Sequence, residues 1–224
     1  MRTETHVIEL TQTENGTFAA PDTTRVIRNT YQLLALSTGV AAVGAGISLW
    51  AGFGPLAGIV FTLLGLVPLF YLSKHRDSAS AVPAMLTFTG LSGLGLGPTL
   101  GHYLSLPGGS GTVMTAAVLT TAVTLALTGY VHKTGKDFTR MGGFLFAGLI
   151  IVLLASIAAL FVPAMQAGVS AVAALLFAGF ILFDTSRLVR GEETNYVMAA
   201  CSMYLNVLNL FLSILQLLGF SVDD

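Results

Sequence analysis

The chain has 224 residues, of which 54% are hydrophobic and only 9% are charged, with a formal net charge of -1 at pH 7. Soluble domains carry about a quarter charged residues, so a chain with a mean hydropathy of +0.81 cannot cover a water-exposed surface with polar groups. These figures exclude a water-soluble enzyme, a disordered regulator and a nucleic-acid binder, which needs a basic face. The composition predicts an all-α integral membrane protein with several spans.

The N-terminal segment is polar. Residues 1–22 contain no apolar stretch of the kind that a signal peptide requires, so the segment is predicted to be a soluble tail. We expect this polar tail to run over residues 1–28. Cys201 is the single cysteine, which excludes an intrachain disulfide.

The basic residues divide the rest of the chain into long stretches without Lys or Arg. Three stretches, 29–73, 77–132 and 141–186, are each long enough for two spanning helices of about 20 residues and a turn. The stretch after Arg190 has room for one helix. The sequence therefore predicts a membrane domain over 29–220 with seven helices and a short C-terminus at 221–224. The predicted spans are 30–50, 55–73, 82–104, 112–131, 142–162, 167–188 and 196–219.

The distribution of charge predicts the orientation. The turns at 51–54, 105–111 and 163–166 contain no charged residue, so all ten basic residues lie on the side of the N-terminus. Short loops rich in Lys and Arg remain in the cytoplasm. We therefore expect a cytoplasmic N-terminus and an external, periplasmic C-terminus.

The third predicted span is the richest in glycine. Gly93 and Gly97 have the small-xxx-small spacing that lets helices approach closely in lipid. Pro98 removes a backbone donor and can kink the helix. Two interpretations remain open: a kinked helix that lines a pathway, or the most buried helix of the bundle.

No enzyme is predicted. Residues 90–93 read GLSG, which matches the GxSG of intramembrane serine proteases, but that chemistry needs a histidine within hydrogen-bond reach of the serine. His102 lies ten residues further along the same helix, about 15 Å away by helical rise. No His, Cys, Asp or Glu residues have metal-site spacing. We expect neither a cofactor nor a metal centre.

Asp184 is the one charged residue predicted to lie inside the membrane, about one turn from the cytoplasmic end of the sixth span. An intramembrane carboxylate is a functional-site hypothesis by default, and Arg187 follows three residues later on the same helix face. Asn206 and Asn209 form an i, i+3 pair on the last span. Asp184 is either a proton- or cation-sensitive group at the inner mouth of a pathway, or a structural group bonded to Arg187 or to these amides.

Several segments together resemble a known family. They are VIRNTYQLLALS, GLGPTLGHYL, GKDFTRMGGFLFAG, FDTSRLVRGEETNY and YLNVLNLFLSILQLLGF, and they span about residues 25–220 in order. The chain resembles the bacterial YccA branch of the Bax inhibitor-1 family. The resemblance implies seven helices, six of which surround the last.

The resemblance also implies two functions. Members of the YccA type bind the membrane-anchored ATP-dependent protease FtsH, which they modulate while serving as slow substrates. Other members are pH-sensitive calcium leak pathways, closed by two aspartates between the sixth and seventh helices. Asp184 matches the first aspartate, whereas Asn206 stands where the second is expected. An Asp–Asn pair has only one titrating group, so a shared-proton gate is not expected here.

We therefore expect a non-enzymatic protein of the bacterial inner membrane. The preferred hypothesis is a regulator that is embedded in the lipid bilayer, binds FtsH and presents the N-terminal tail as a handle for slow degradation. The alternative is a cation leak channel, most simply for the calcium ion, with Asp184 near its cytoplasmic gate.

Overall fold

The computed structural model describes residues 23–220, and α-helices make up most of this part of the chain. No β-strand occurs within it. Seven long helices follow one another, with single 3₁₀ turns at Thr139–Met141 and Pro163–Met165. The helices are α1 (Thr23–Trp50), α2 (Pro55–Lys74), α3 (Ala81–Ser105), α4 (Gly109–Thr134), α5 (Gly142–Ala159), α6 (Gln166–Val189) and α7 (Tyr196–Phe220).

Six helices in the described region are long and apolar enough to cross a membrane, which confirms the prediction of an all-helical membrane protein. The exception is α3, which does not reach the hydropathy of the other six. Its glycine, serine and threonine content lowers its hydropathy, and α3 packs along both α1 and α2. Much of its surface therefore meets protein instead of lipid.

The first helix begins earlier than the sequence predicted. Residues 23–28 were assigned to the polar tail, but they form the first turns of α1. Val26 is 8% exposed and packs in an apolar cluster with Leu188 and Met203. The packing of this valine against α6 and α7 stabilises the helical conformation of the polar segment. The remaining tail, residues 1–22, lies outside the described residues.

Glycine contacts hold α1, α2 and α3 together. A Cβ atom at Gly93 of α3 would overlap the Ala41 carbonyl of α1, and one at Gly44 would lie 2.6 Å from the Gly90 carbonyl oxygen. On the other side of α3, a Cβ at Gly95 would lie 2.5 Å from the Thr62 hydroxyl of α2. These contacts require the absence of side chains, and they bring helix backbones close enough for extensive dispersion attraction.

The last helix packs against α1, α3, α4 and α6, whereas α2 packs mainly on α3 and α5 on α6. The apolar core around α7 includes Cys201 and Tyr204, with Met85 and Phe88 of α3. The Phe88 and Tyr204 rings meet edge to face, with centroids 5.8 Å apart. Large buried side chains from different helices therefore converge on α7.

One end of the bundle collects the loops that carry the basic residues, and we call it the basic end: the start of α1 and loops 75–80, 135–141 and 190–195. The Asn195 amide nitrogen donates to the Arg76 carbonyl oxygen at 2.8 Å and to an Asp77 carboxylate oxygen at 2.9 Å. Arg190 pairs with Asp137 at 3.6 Å. These contacts join the three loops to each other. The opposite end, with loops 51–54, 106–108 and 160–165, is called the far end.

Candidate functional site

The buried carboxylate of Asp184 lies between α6 and α7. Asp184 is 8% exposed, and its Oδ2 atom accepts hydrogen bonds from the Ser202 hydroxyl at 2.5 Å and from the Asn206 amide nitrogen at 2.7 Å. Ser202 and Asn206 lie one turn apart on the same face of α7. Burial of a charge is costly unless hydrogen bonds compensate it, and these two donors provide that compensation.

Of the two asparagines considered as partners of Asp184, only one contacts it. Asn206 contacts Asp184 as predicted, but the Asn209 amide nitrogen turns back to the Leu205 carbonyl oxygen at 2.8 Å. The expected contact between Asn209 and Asp184 was therefore wrong. An i−4 carbonyl of its own helix lies within reach of the Asn209 side chain and competes with a partner on α6.

Arg187 pairs with Glu193 and not with Asp184, whose salt bridge to Arg187 was one of the alternatives left open by the sequence. Its guanidinium pairs with Glu193 at 3.3 Å and lies over the Phe183 ring, 5.7 Å from the centroid. Glu193 belongs to the loop after α6, which turns back over the helix end. The carboxylate of Asp184 is thus held by neutral donors, while the cation beside it in sequence is engaged with another acid at the basic end.

Ser202 was missed by the sequence analysis, although a signal exists. Five polar residues of α7 recur at alternating spacings of four and three, which places them on one face of a helix. They line a cavity of about 510 Å³ between α5, α6 and α7. The row consists of Ser202, Asn206, Asn209, Ser213 and Gln216, and we call it the α7 polar row.

A second cavity continues from this one toward the far end. It measures about 360 Å³ and is lined by His102, Tyr103 and Gln166, among others. Ser170 and Gln216 line both cavities, and the Ser170 hydroxyl donates to the Gln216 side-chain oxygen at 2.7 Å. Polar side chains therefore extend from the far end to the two donors of Asp184, and the hydrogen bond between Ser170 and Gln216 lies where the two cavities share their lining.

The glycines of α3 lie elsewhere. Gly93 faces Ala41, and a Cβ at Gly97 would overlap the Ser48 side chain, so both positions face α1. Pro98 contacts Gly58 of α2 and lines a groove between α2 and α3. None of the three lines the cavities beside the α7 polar row. Their positions favour the interpretation of α3 as a closely packed helix over that of a pathway lining.

The remaining chemical candidates have other partners. The Ser92 hydroxyl lies 2.5 Å from the Tyr204 hydroxyl of α7, so its hydrogen-bond partner is a phenol and not an imidazole. In the described part of the chain, no three His, Cys, Asp or Glu side chains group together as metal ligands would. The buried Asp184 cluster therefore stands as the candidate site.

A helical membrane bundle with one buried carboxylate, held by neutral side chains of its last helix, is the class that the fold and site define. The sequence model described as "Inhibitor of apoptosis-promoting Bax1" matches residues 23–223. The chain belongs to this family, the Bax inhibitor-1 family, which confirms the resemblance seen in the sequence.

Relatives from three bacteria cover nearly the whole chain. The chain is 45% identical over 201 residues to a Vibrio cholerae protein described as an uncharacterized membrane protein, which covers 88% of this chain and 90% of the relative. It is 39% identical over 206 residues to the Escherichia coli protein named "Modulator of FtsH protease YccA", covering 90% of this chain and 93% of that one. A Pseudomonas aeruginosa relative is 37% identical over 202 residues. The family and its named relative are membrane and regulatory proteins, not enzymes by name.

Proposed function

We propose that this chain is an inner-membrane regulator that binds the membrane-anchored ATP-dependent protease FtsH and modulates it. The observation that carries the proposal is the 39% identity to the named E. coli modulator over 206 residues, which include most of both chains. A similarity of this extent covers the helical bundle as a whole and not one shared motif. The E. coli protein of a second strain is named "Inner membrane protein YccA", which supports the location.

The proposed topology has seven spans with the basic end in the cytoplasm. Arg25, Arg28 and the basic loops lie together at that end, as the positive-inside rule requires of cytoplasmic segments. α3 is included because it runs between α2 and α4 and is sheltered by α1 and α2. α7 is the central helix of the proposed bundle, because it is the most buried of the six candidate spans.

The N-terminal tail is the proposed handle for the protease. It precedes α1 at the basic end, and about 22 extended residues reach about 75 Å. Extraction of α1 from the bundle would break the close contacts of Gly44 with α3 and expose buried Thr30 and Ser37 to lipid. These costs slow removal from the membrane, so the protein occupies the protease as a poor substrate.

The test combines crosslinking with turnover. Intact protein, crosslinked in membranes and purified, is expected to recover FtsH as the dominant partner. Deletion of residues 2–22 is expected to lengthen the half-life several-fold in cells that contain FtsH, and deletion of residues 221–224 serves as the matched control. Absence of FtsH from the crosslinked material, or equal half-lives of the two truncated proteins and the intact one, would contradict the proposal.

A second candidate function is a calcium leak with Asp184 near its cytoplasmic gate. The observation that favours it is the row of polar side chains that runs along the two cavities from the far end to the donors of Asp184. With Asn206 as its neighbour, Asp184 would act as a single acidic group instead of one member of a pair. Purified protein in liposomes with an enclosed calcium dye would show a flux that falls several-fold on Asp184→Asn and is unchanged on Asp77→Asn. Absence of flux at both acid and neutral pH excludes this function.

A further inference from the structure

A lateral groove separates α1 from α4 on the outside of the bundle. It has a volume of about 710 Å³ and is lined mainly by small or hydroxyl-bearing residues, including Ala35, Thr38, Thr121 and Gly129, with Val207 of α7 contributing from behind. The first four are exposed, and in a membrane-spanning bundle this exposure is to lipid. The groove is thus wide and accessible from the bilayer.

Some hydroxyl groups along this side of α4 have hydrogen-bond partners, whereas others do not. Thr120 and Thr121 of α4 donate to carbonyls one turn back, at 2.7 and 2.8 Å, as threonines in membrane helices commonly do. The hydroxyls of Thr124 and Thr128, one and two turns nearer the basic end, are buried and find no partner among the described atoms. The groove therefore contains unused donors at one end only.

Two further hydroxyls lie at this end of the groove. The Tyr31 hydroxyl on α1 is close to that of Thr128 and to that of Thr185 on α6, but all three are buried and lie outside strict hydrogen-bond geometry. Tyr31 and Thr128 also line the groove, whereas Thr185 is fully buried and lies outside its lining. Buried polar groups nearly always have a partner, so a rotation of the Tyr31 or Thr128 side chain would let its hydroxyl donate to an acceptor in the groove.

The charge around this end of the groove is positive. Arg25 and Arg28 lie on α1 and His132 and Lys133 on α4, and neither helix contains an acidic residue. Within residues 23–220, none of the two arginines and the lysine forms an ion pair. The His132 ring lies against Tyr31 with centroids 5.8 Å apart. Arg28 is one turn outward from Tyr31, about 4.5 Å by helical rise.

We propose that the groove binds an anionic phospholipid. The phosphate lies at Arg28 and Lys133, the ester oxygens accept hydrogen bonds from Tyr31 and Thr128, and one acyl chain follows the groove toward the far end. The order of the groups matches the depth of a lipid: charge at the surface, ester below it, hydrocarbon below that. Basic pockets between helices on the cytoplasmic side suit such head groups.

The first experiment tests the charge. Full-length protein in detergent receives phosphatidylglycerol or phosphatidylcholine with the same acyl chains, and native mass spectrometry counts the retained lipids. We expect about tenfold stronger retention of phosphatidylglycerol. The double substitution Arg28→Gln with Lys133→Gln removes this preference. The control Lys74→Gln with Arg76→Gln retains it, because these residues lie at the basic end but on α2 and the loop after it, not on the two helices that border the groove. Equal retention of the two lipids by the unmodified protein overturns the proposal.

The second experiment tests the location. Gly129 lines the groove, and a Cβ there meets nothing within 4 Å, so Gly129→Leu fills the groove without a clash. Gly143 of α5 is equally open and lies outside the groove lining, which makes Gly143→Leu the matched control. Loss of the retained phosphatidylglycerol on Gly129→Leu alone supports the site. Undiminished retention on Gly129→Leu, or equal loss in both variants, overturns it.

Discussion

The α1–α2–α3 side of the bundle and the α5–α6–α7 side are packed in different ways. On the first side, glycines such as Gly44 and Gly93 bring backbones into direct contact, and an added Cβ would meet the neighbouring helix. On the second side, a cavity of about 510 Å³ lies between the helices, and Asp184 bonds to polar side chains of α7. One side is joined through backbone contact and the other through side-chain hydrogen bonds.

This difference assigns a structural role to the α1–α2–α3 side and the candidate functional site to the α5–α6–α7 side. Where the glycines bring backbones into contact, no room is left between the helices for a ligand or ion, so these contacts act as a scaffold. Space, a buried carboxylate and a row of amides and hydroxyls occur together on the other side. Ser92 of α3 and Tyr204 of α7 link the two sides through their hydroxyls. Substitutions on each side are therefore expected to fail in different ways.

The largest effect is expected at the glycine contact. Gly93→Ala places a Cβ on the Ala41 carbonyl, and α1 and α3 must separate to accept it. Overpacking typically costs about 1–3 kcal/mol and occasionally more, and the required backbone movement places this variant at the upper end. Thermal unfolding in detergent is expected to show a strongly lowered midpoint or no folded protein. Gly46→Ala, on α1 with open space around it, is the control. Equal unfolding midpoints for the two variants would show that close glycine contacts do not hold the α1–α2–α3 side together.

The next largest effect is expected at the buried carboxylate. Asp184→Leu leaves the Ser202 hydroxyl and the Asn206 amide without their acceptor, at a cost of about 1–3 kcal/mol. Asp184→Asn keeps an oxygen at this position and is expected to lose less. Unfolding midpoints of the two variants measure the difference. A leucine variant as stable as the asparagine variant would show that these hydrogen bonds do not hold α6 to α7.

A smaller effect is expected at the link between the two sides. Ser92→Ala and Tyr204→Phe each remove one hydroxyl of the pair, and each is expected to cost about 1 kcal/mol. The double variant should cost little more than either single variant, because the interaction is already lost. A double-mutant cycle of unfolding free energies measures the coupling. Strict additivity would mean that the two sides are not coupled through these hydroxyls.

The smallest effect is expected in the loop between α4 and α5. The hydrogen bond from the Thr139 hydroxyl, together with that from its backbone N–H, lowers the pKa of Asp137 below its ordinary value. A lowered carboxyl pKa stabilises the fold above the ordinary value of about 3.9, and this stabilisation disappears as the pH falls through the lowered pKa. Thr139→Val should therefore lower the unfolding midpoint slightly at pH 7.

The same variant provides its own control at low pH. The difference in unfolding midpoint between Thr139→Val and the unmodified protein should shrink toward zero once Asp137 is protonated in both. A difference that persists unchanged through acid pH would assign the effect to the replacement of the hydroxyl by a methyl group instead of to the carboxylate.

Part of the candidate site could be predicted from the sequence. Asp184 is an isolated charge in an apolar stretch, and Asn206 recurs on the polar face of the last helix, so their contact follows from pattern alone. Arg187 and Asn209 could not be placed this way. Each has a local alternative, Glu193 in the following loop and the Leu205 carbonyl one turn back, and only the folded geometry selects between a local and a distant partner.

The helix boundaries also depend partly on the sequence pattern and partly on packing that only the folded structure shows. The start of α1 was placed too late, because the polarity of residues 23–28 does not reveal that Val26 packs against α6 and α7. Likewise, the glycines of α3 were compatible with a pathway or with close packing. Their identity shows that two backbones can approach, but not which helix approaches, and the structure places α1 beside Gly93 and Gly97.

The sequence by itself determined that this is a helical membrane protein, because scarce charges and long apolar stretches depend only on composition and order. Its ordered motifs also placed it in the Bax inhibitor-1 family, and the isolated charge of Asp184 predicted a carboxylate inside the membrane. The tertiary structure alone decided that Ser202 joins Asn206 at Asp184, that cavities follow the α7 polar row, and that a groove with unpaired hydroxyls opens between α1 and α4. These features depend on which helix faces meet, and that choice is made by packing among all seven helices at once.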